Sequence, residues 1–284
     1  MNVKKKTAPQ SNQQPEEGLV IMKTATRLIA LAVLLSGTFF VSSTLACSSA
    51  AWTSTEGAAL ADDPTNGTPR VSGLCGLGVT DAGHVVDNSP AAETKFIGRF
   101  YVFPKLLSAG THELFAAYSD EAGTKLFSIT YDGTNFNFDA TAATGGGSAS
   151  VPADPTHWNL IEFVWESGAT GGFWVNTDAL SEVANTTFDS GTGSVDQIRM
   201  GAVSTIGGET AYFDDYESHR SLPVGALLKG DGNADGSVNS GDIITVINEF
   251  FGGGLGEGTP DCNLDGNVNS GDIICVINTF FAGA

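Results

Sequence analysis

Apolar and polar positions alternate in short runs through the middle of the chain and switch to spacings of three and four near its C-terminus. The runs Phe96–Phe103, Glu113–Ser119, Lys125–Gly133, His157–Trp165, Gly172–Thr177, Gln197–Val203 and Ala211–Glu217 are rich in aromatic and β-branched residues. Each reads as a strand, because such side chains fit a pleated, half-buried surface. Asp132-Gly133 and the Gly145–Gly147 run between them supply turns. No helical period of useful length interrupts this stretch. Many short strands between turns predict a mainly β chain with an antiparallel sandwich over residues 52–222.

The pattern changes at the end. Ile243, Ile244, Val246, Ile247, Phe250 and Phe251 fall on one helical face, and Ile273, Ile274, Val276, Ile277, Phe280 and Phe281 repeat it. Neither helix can hide so wide an apolar face alone, so the two are expected to pack together. Residues 223–228 read as a linker, and 229–284 as a small α-helical module.

Each helix follows a twelve-residue acidic loop: DGNADGSVNSGD from Asp231 to Asp242, then DCNLDGNVNSGD from Asp261 to Asp272, a repeat of 30 residues. Asp231, Asn233 and Asp235 take loop positions 1, 3 and 5, with Ser237, Asn239 and Asp242 at 7, 9 and 12. Asp261, Asn263, Asp265, Asn267, Asn269 and Asp272 repeat the series, and Gly236 and Gly266 stand at the sharp turn of position 6. Every ligand position offers oxygen and none offers imidazole or thiolate, which selects a hard cation. These are EF-hand-type loops, and two Ca2+ ions are expected, one in each. Position 12 carries Asp in place of the usual Glu, so each loop must close more tightly. A module of this size lacks the core to fold unaided, so the metal is expected to contribute folding energy.

The duplicated D-x-N-x-D-G-x-V-N-x-x-D segment resembles a type I dockerin. That resemblance implies calcium binding and attachment of a secreted protein to a cohesin-like domain on a scaffold or cell surface. It also implies partner docking at the residues before each closing Asp, here Ser240–Gly241 and Ser270–Gly271. The serines match the family. The glycines depart from its usual hydroxyl pair, and neither helix carries the Lys or Arg that often accompanies cohesin contact. Cys262 and Cys275 lie in the second repeat alone, so they are not metal ligands; a disulfide and two free thiols are both open.

At the N-terminus, Lys23 and Arg27 precede an apolar stretch from Leu28 to Val41 and small residues up to Ala46, the order of a secretory signal. Residues 1–46 are therefore read as leader and signal, starting from Met1 or from Met22. The apolar stretch is too short for a membrane span. Cleavage fits after Ala46 or after Ala50; Cys47 could carry lipid, although Thr44 stands where a lipobox has Leu, and ordinary secretion is the first reading. Cys47 could also bridge to Cys75, and four cysteines leave three pairings.

The net charge is −19, and becomes −22 once the five basic and two acidic residues of 1–46 are removed. Such an excess excludes nucleic acid and anionic lipid as main partners. It suits a soluble extracellular or cell-surface protein.

The paired runs ETKFIGRFYVF and HWNLIEFVW and the closing AYFDDYE are similar to the concanavalin A-like, laminin-G-like jelly rolls of secreted bacterial proteins. That superfamily includes carbohydrate-binding modules, adhesion domains and glycoside hydrolases, and the resemblance implies that the last strand returns beside the first. Chemistry is sparse. Glu162 and Glu166 share parity for one strand face and are the one pair suited to glycosidase catalysis, but Glu162 sits among core-like residues. Asp214 and Asp215 should point to opposite faces of a regular strand. His84, His112, His157 and His219 are scattered and form no ligand spacing. Trp158, Trp165, Trp174 and Tyr212 are the aromatics that could stack on a sugar, against the commoner fate of such residues in a core. No residue is assigned as catalytic. The expected function is non-catalytic attachment, with a polysaccharide or a cell-surface protein as the sandwich's partner. A polysaccharide-degrading hydrolase or accessory protein delivered through dockerin–cohesin pairing is the second reading.

Overall fold

The computed structural model describes residues 47–283 apart from 63, 109, 122 and 142. The expected leader and signal, with both proposed start sites, lie outside the described residues. Twelve strands come first: β1 Ser54–Asp62, β2 Gly76–Asp87, β3 Lys95–Phe103, β4 His112–Tyr118, β5 Lys125–Tyr131 and β6 Asn135–Asp139. They continue with β7 Ser148–Pro152, β8 Asn159–Glu166, β9 Thr170–Val175, β10 Thr186–Asp189, β11 Gln197–Gly201 and β12 Thr210–His219. Two helices follow, α1 Ser240–Phe250 and α2 Ser270–Ala282.

The strands pair antiparallel in the order β10-β9-β8-β3-β12-β2-β11-β4-β5-β6-β7, with β1 paired to β2 off this path. β2 is the seam of the fold. Its first half, through Leu77–Thr80, pairs with β12, and its second half, through His84–Asp87, pairs with β11. The sheet therefore divides into two facing layers, and an isolated bridge between Thr144 and Thr192 nearly closes it at the far edge. The closing strand β12 lies between β2 and β3, so the chain's last strand returns beside its early ones.

Phenylalanines join the layers. Phe100 of β3 stacks on Phe115 of β4 at 5.5 Å, Phe127 of β5 meets Phe163 of β8 at 5.4 Å, and Phe138 of β6 lies 3.9 Å from Phe188 of β10. Each buried ring contributes roughly 1.5–3 kcal/mol of transfer free energy, with about 0.5–1.5 kcal/mol more for a well-oriented pair. These positions alternate along their strands, which is why the runs of the sequence were readable.

Five strands are absent from the sequence reading, β1, β2, β6, β7 and β10, although Phe136 and Phe138 of β6 alternate in the same way. β1 is mostly exposed and built of small residues, and β7 and β10 are four or five residues long with one or two buried apolar side chains. The expectation for Asp214 and Asp215 also needs correcting. β12 carries a bulge between Asp214 and Glu217, with Asp215 at φ 51°, so regular alternation does not hold there.

The outer face of β3 and β8 does not meet solvent. Tyr101, Phe103, Trp158 and Leu160 form a second apolar cluster with Val71, and Leu227 and Leu264 from the C-terminal region pack onto it. The segment from Val224 to Leu227 is pinned to this face. Glu162 accepts the backbone amides of Val224 and Gly225, Arg99 donates to the Gly225 carbonyl at 3.2 Å, and the Tyr101 hydroxyl accepts the Leu227 amide at 3.1 Å.

Two disulfides are present, Cys47–Cys75 and Cys262–Cys275. Among the described residues no helix is long and apolar enough to cross a membrane.

Candidate metal loops

The two acidic loops fold in the same way because the same short side chains bond their own backbone. In the first, Asp231 accepts the amides of Asp235 and Gly236 at 3.1 and 2.9 Å. Asp242, at the start of α1, accepts those of Asn233 and Asn239 at 3.2 and 2.7 Å. Asn239 is the N-cap of α1 and receives the Gly241 amide, completing a capping box with Asp242. The second loop repeats each contact: Asp261 accepts from Asp265 and Gly266, Asp272 from Asn263 and Asn269, and Asn269 caps α2. Gly236 and Gly266 hold φ of 82° and 87°, the left-handed region that a side chain would resist.

The geometry gathers negative charge. One carboxylate oxygen from each of Asp231, Asp235 and Asp242 lies within 4.8 Å of the others. The side-chain amides of Asn233 and Asn239 both donate to Asp235, which holds its carboxyl below the usual range. In the second loop, burial and then the neighbouring Asp272 push the Asp261 carboxyl up to about 8. All-oxygen donors, buried carboxylates and a turn that aims them inward fit a divalent cation. Ser237 and Asn267 stand at position 7, each donating its amide to the position-5 Asp.

Ser240 and Ser270 are exposed at the first turns of α1 and α2, while Gly241 and Gly271 are half-buried and tied to the caps. The helices pack through Val246, Val276 and Cys262, all buried. Ile244, Phe251, Ile274 and Phe281 remain largely exposed.

The loops differ in their surroundings. Ala234, Asp235 and Gly236 are exposed, whereas Leu264, Asp265 and Gly266 at the equivalent places are half-buried. The cover is the sandwich. Trp158 donates its backbone amide to the Leu264 carbonyl at 2.8 Å, and the Leu264 side chain packs on the outer cluster. A Cβ built on Gly266 would meet the Phe103 ring at 2.7 Å, so that ring lies directly on the loop backbone. Sequence reasoning missed this contact. Its one trace is the change from Ala234 to Leu264 at position 4, an apolar side chain in an otherwise polar turn.

The other candidates fare differently. Trp158, Trp165 and Trp174 are buried, at 1%, 0% and 9% exposure, so none is an open stacking platform. Trp165 and Trp174 instead donate their indole N–H to the carbonyls of Ser190 and Glu182. Tyr212 is half-buried beside Phe103. Glu162 is fully buried, and its acceptor capacity is taken by the segment that follows the sandwich; Glu166 pairs with Lys95 at 3.1 Å. Of the histidines, His157 contacts Asp154 and His219 contacts Glu217, and the four are not brought together.

The family model described as Dockerin type I domain matches residues 229–281. The C-terminal module is dockerin-like, and it follows a β-sandwich. No curated protein matches the chain in sequence. Among solved structures, a cellulose induced protein, Cip1, is similar at 12% identity, over 62% of this chain and 93% of that one, with a TM-score of 0.46. The botulinum neurotoxin serotype D ligand binding domain in complex with N-acetylneuraminic acid is similar at 8% identity, over 58% of this chain and 43% of that one, at 0.41. A Trypanosoma rangeli sialidase is similar at 15% identity, over 52% and 25%, at 0.37. This chain thus spans less than half the length of the latter two. The likenesses are distant, and the sandwich's role rests on its own residues.

Proposed function

We propose that this is a secreted attachment protein whose C-terminal module binds two Ca2+ ions and thereby presents a docking surface, while the β-sandwich recognises a carbohydrate or a protein. The observation that carries the reading is the duplicated oxygen-donor loop inside the dockerin match, with the same backbone hydrogen bonds in both copies. Asp231, Asn233, Asp235, Ser237, Asn239 and Asp242 hold one ion. Asp261, Asn263, Asp265, Asn267, Asn269 and Asp272 hold the other. When bound, each ion neutralises a carboxylate cluster that otherwise repels itself, and this favours the folded loop. The Ser240–Gly241 and Ser270–Gly271 turns, with the exposed face of each helix, form the side offered to a cohesin-like partner.

Two disulfides and the acidic charge support an oxidising, extracellular setting. For the sandwich, binding without turnover is the better-supported activity, because Glu162 is enclosed and engaged by Val224 and Gly225. A saccharide or peptide would enter the cleft of about 460 Å³ that Asp154, Asn176, Asp178, Tyr101 and Leu160 line together with residues of the tail. Calorimetric titration of the EDTA-stripped chain with calcium tests the tail: uptake of two ions is expected, and no uptake removes the docking reading. A glycan array run beside a hydrolysis assay tests the sandwich; release of reducing sugar would make it an enzyme.

A further inference from the structure

The two loops are nearly identical in sequence and in internal hydrogen bonding, but only the second is roofed by the sandwich. We propose that calcium binding in the second loop and docking of the tail on the sandwich are one coupled equilibrium, with Leu264 as the clasp, and that the first loop binds its ion independently of this contact. The inference rests on the calcium reading above and adds to it an asymmetry that the repeat alone does not contain.

Three contacts converge on the tip of the second loop. Leu264 packs against the cluster of Val71, Tyr101, Phe103, Trp158 and Leu160. Its carbonyl receives the Trp158 amide at 2.8 Å, and Phe103 lies against Gly266. All three depend on the backbone path between Asp261 and Gly266. Leu264 sits at φ 62° within it, a conformation that a leucine in an open chain avoids. That path is fixed by the Asp261 carboxylate, which gathers the amides of Asp265 and Gly266, and it is the same path that aims the ligands inward. A cation that holds the loop closed therefore also holds the leucine and its carbonyl in position. Linkage then requires the reverse: a sandwich that grips the closed loop raises its affinity for the ion.

The first loop has no such partner. Ala234 at position 4 is too small to reach an apolar surface, and it and its neighbours Asp235 and Gly236 are exposed. The first repeat also meets the sandwich, through Glu249 on Arg70 and through the Gly73 amide on the Glu257 carbonyl, but these contacts leave the loop tip at Ala234, Asp235 and Gly236 exposed. The two ions should thus bind in distinguishable steps, one sensitive to the sandwich surface and one not.

The test uses the full chain with calcium as the probe. In calorimetry, Leu264→Ala and the sandwich-side variant Phe103→Ala are each expected to weaken one calcium step by about five- to tenfold and leave the other unchanged. In wild type, stripping calcium should speed hydrogen exchange at the Trp158 amide by about tenfold or more. Helical signal in saturating calcium reports whether Leu264→Ala folds; if it does not, Phe103→Ala decides alone. Equal shifts of both steps, or no shift in either, would overturn the coupling. If wild type takes up no calcium at all, the metal reading itself fails, and that outcome is separate from normal uptake that ignores both variants.

Discussion

Arg70 and Glu249 lie 179 residues apart in sequence and meet in a nearly buried pair, with one guanidinium nitrogen 2.8 and 2.7 Å from the two carboxylate oxygens. Glu249 also accepts the Gly256 amide, so the carboxylate ties α1, the connector after it and the sandwich together. Removing one charge would strand the other away from water. Glu249→Ala is expected to cost about 3–5 kcal/mol. A Met and Leu pair at positions 70 and 249 should recover much of that. Urea unfolding of the three proteins checks both statements; a neutral Glu249→Ala would mean that the pair opens to water.

Calcium removal should separate the two parts of the chain by spectroscopy. EDTA is expected to abolish most of the helical signal of residues 229–284 while leaving the β signal, because the sandwich has a large aromatic core and the helices share only a few buried side chains. Identical far-UV spectra with and without EDTA would argue that the helices need no metal.

Asp214 sets a pH dependence. Burial raises its carboxyl to about 7, although the amides of Val71 and Ser72 donate to it. The folded state therefore holds the proton more tightly than the unfolded chain does. This contribution to stability is complete below the ordinary carboxylate range near 4 and is lost as pH rises through about 7. Wild type should lose stability between about pH 4 and 8 at no more than about 1.4 kcal/mol per pH unit from this group. Asp214→Asn should flatten that slope, which urea midpoints across the range would reveal; an unaltered slope would assign it elsewhere.

Glu162 offers a test of role against fold. Glu162→Gln keeps an acceptor for the Val224 and Gly225 amides but loses the charge that faces Arg99. A stability loss of about 1–3 kcal/mol is expected, with glycan binding unchanged. Loss of binding or of any hydrolytic activity without loss of stability would point instead to a direct part in chemistry.

What could be read from the chain followed from local periodicity. The seven strands found in the sequence bring aromatic or branched side chains to the interior at alternate positions, as Phe96, Phe100 and Val102 of β3 do. β1 and β7 escaped because Ala, Ser and Gly carry little signal at any period. The two acidic loops were legible because residue type and spacing are both local to twelve residues. The docking of Leu264 was not, since it depends on a surface assembled from Val71, Tyr101 and Trp158, residues that only the folded sandwich brings together. The tryptophans took the commoner of their two expected fates, burial in a core, but an aromatic side chain in a strand does not disclose which neighbour will cover it.

The disulfide between Cys262 and Cys275 has an effect that reaches beyond its own repeat. It cross-links the loop to the helix behind it, and such a closure restricts the open chain by about 3 kcal/mol. The repeat whose loop tip meets the sandwich is thus the one already cross-linked before any ion arrives. Reductant should therefore deepen the opening that chelator begins there, so that the two together loosen that repeat further than EDTA alone.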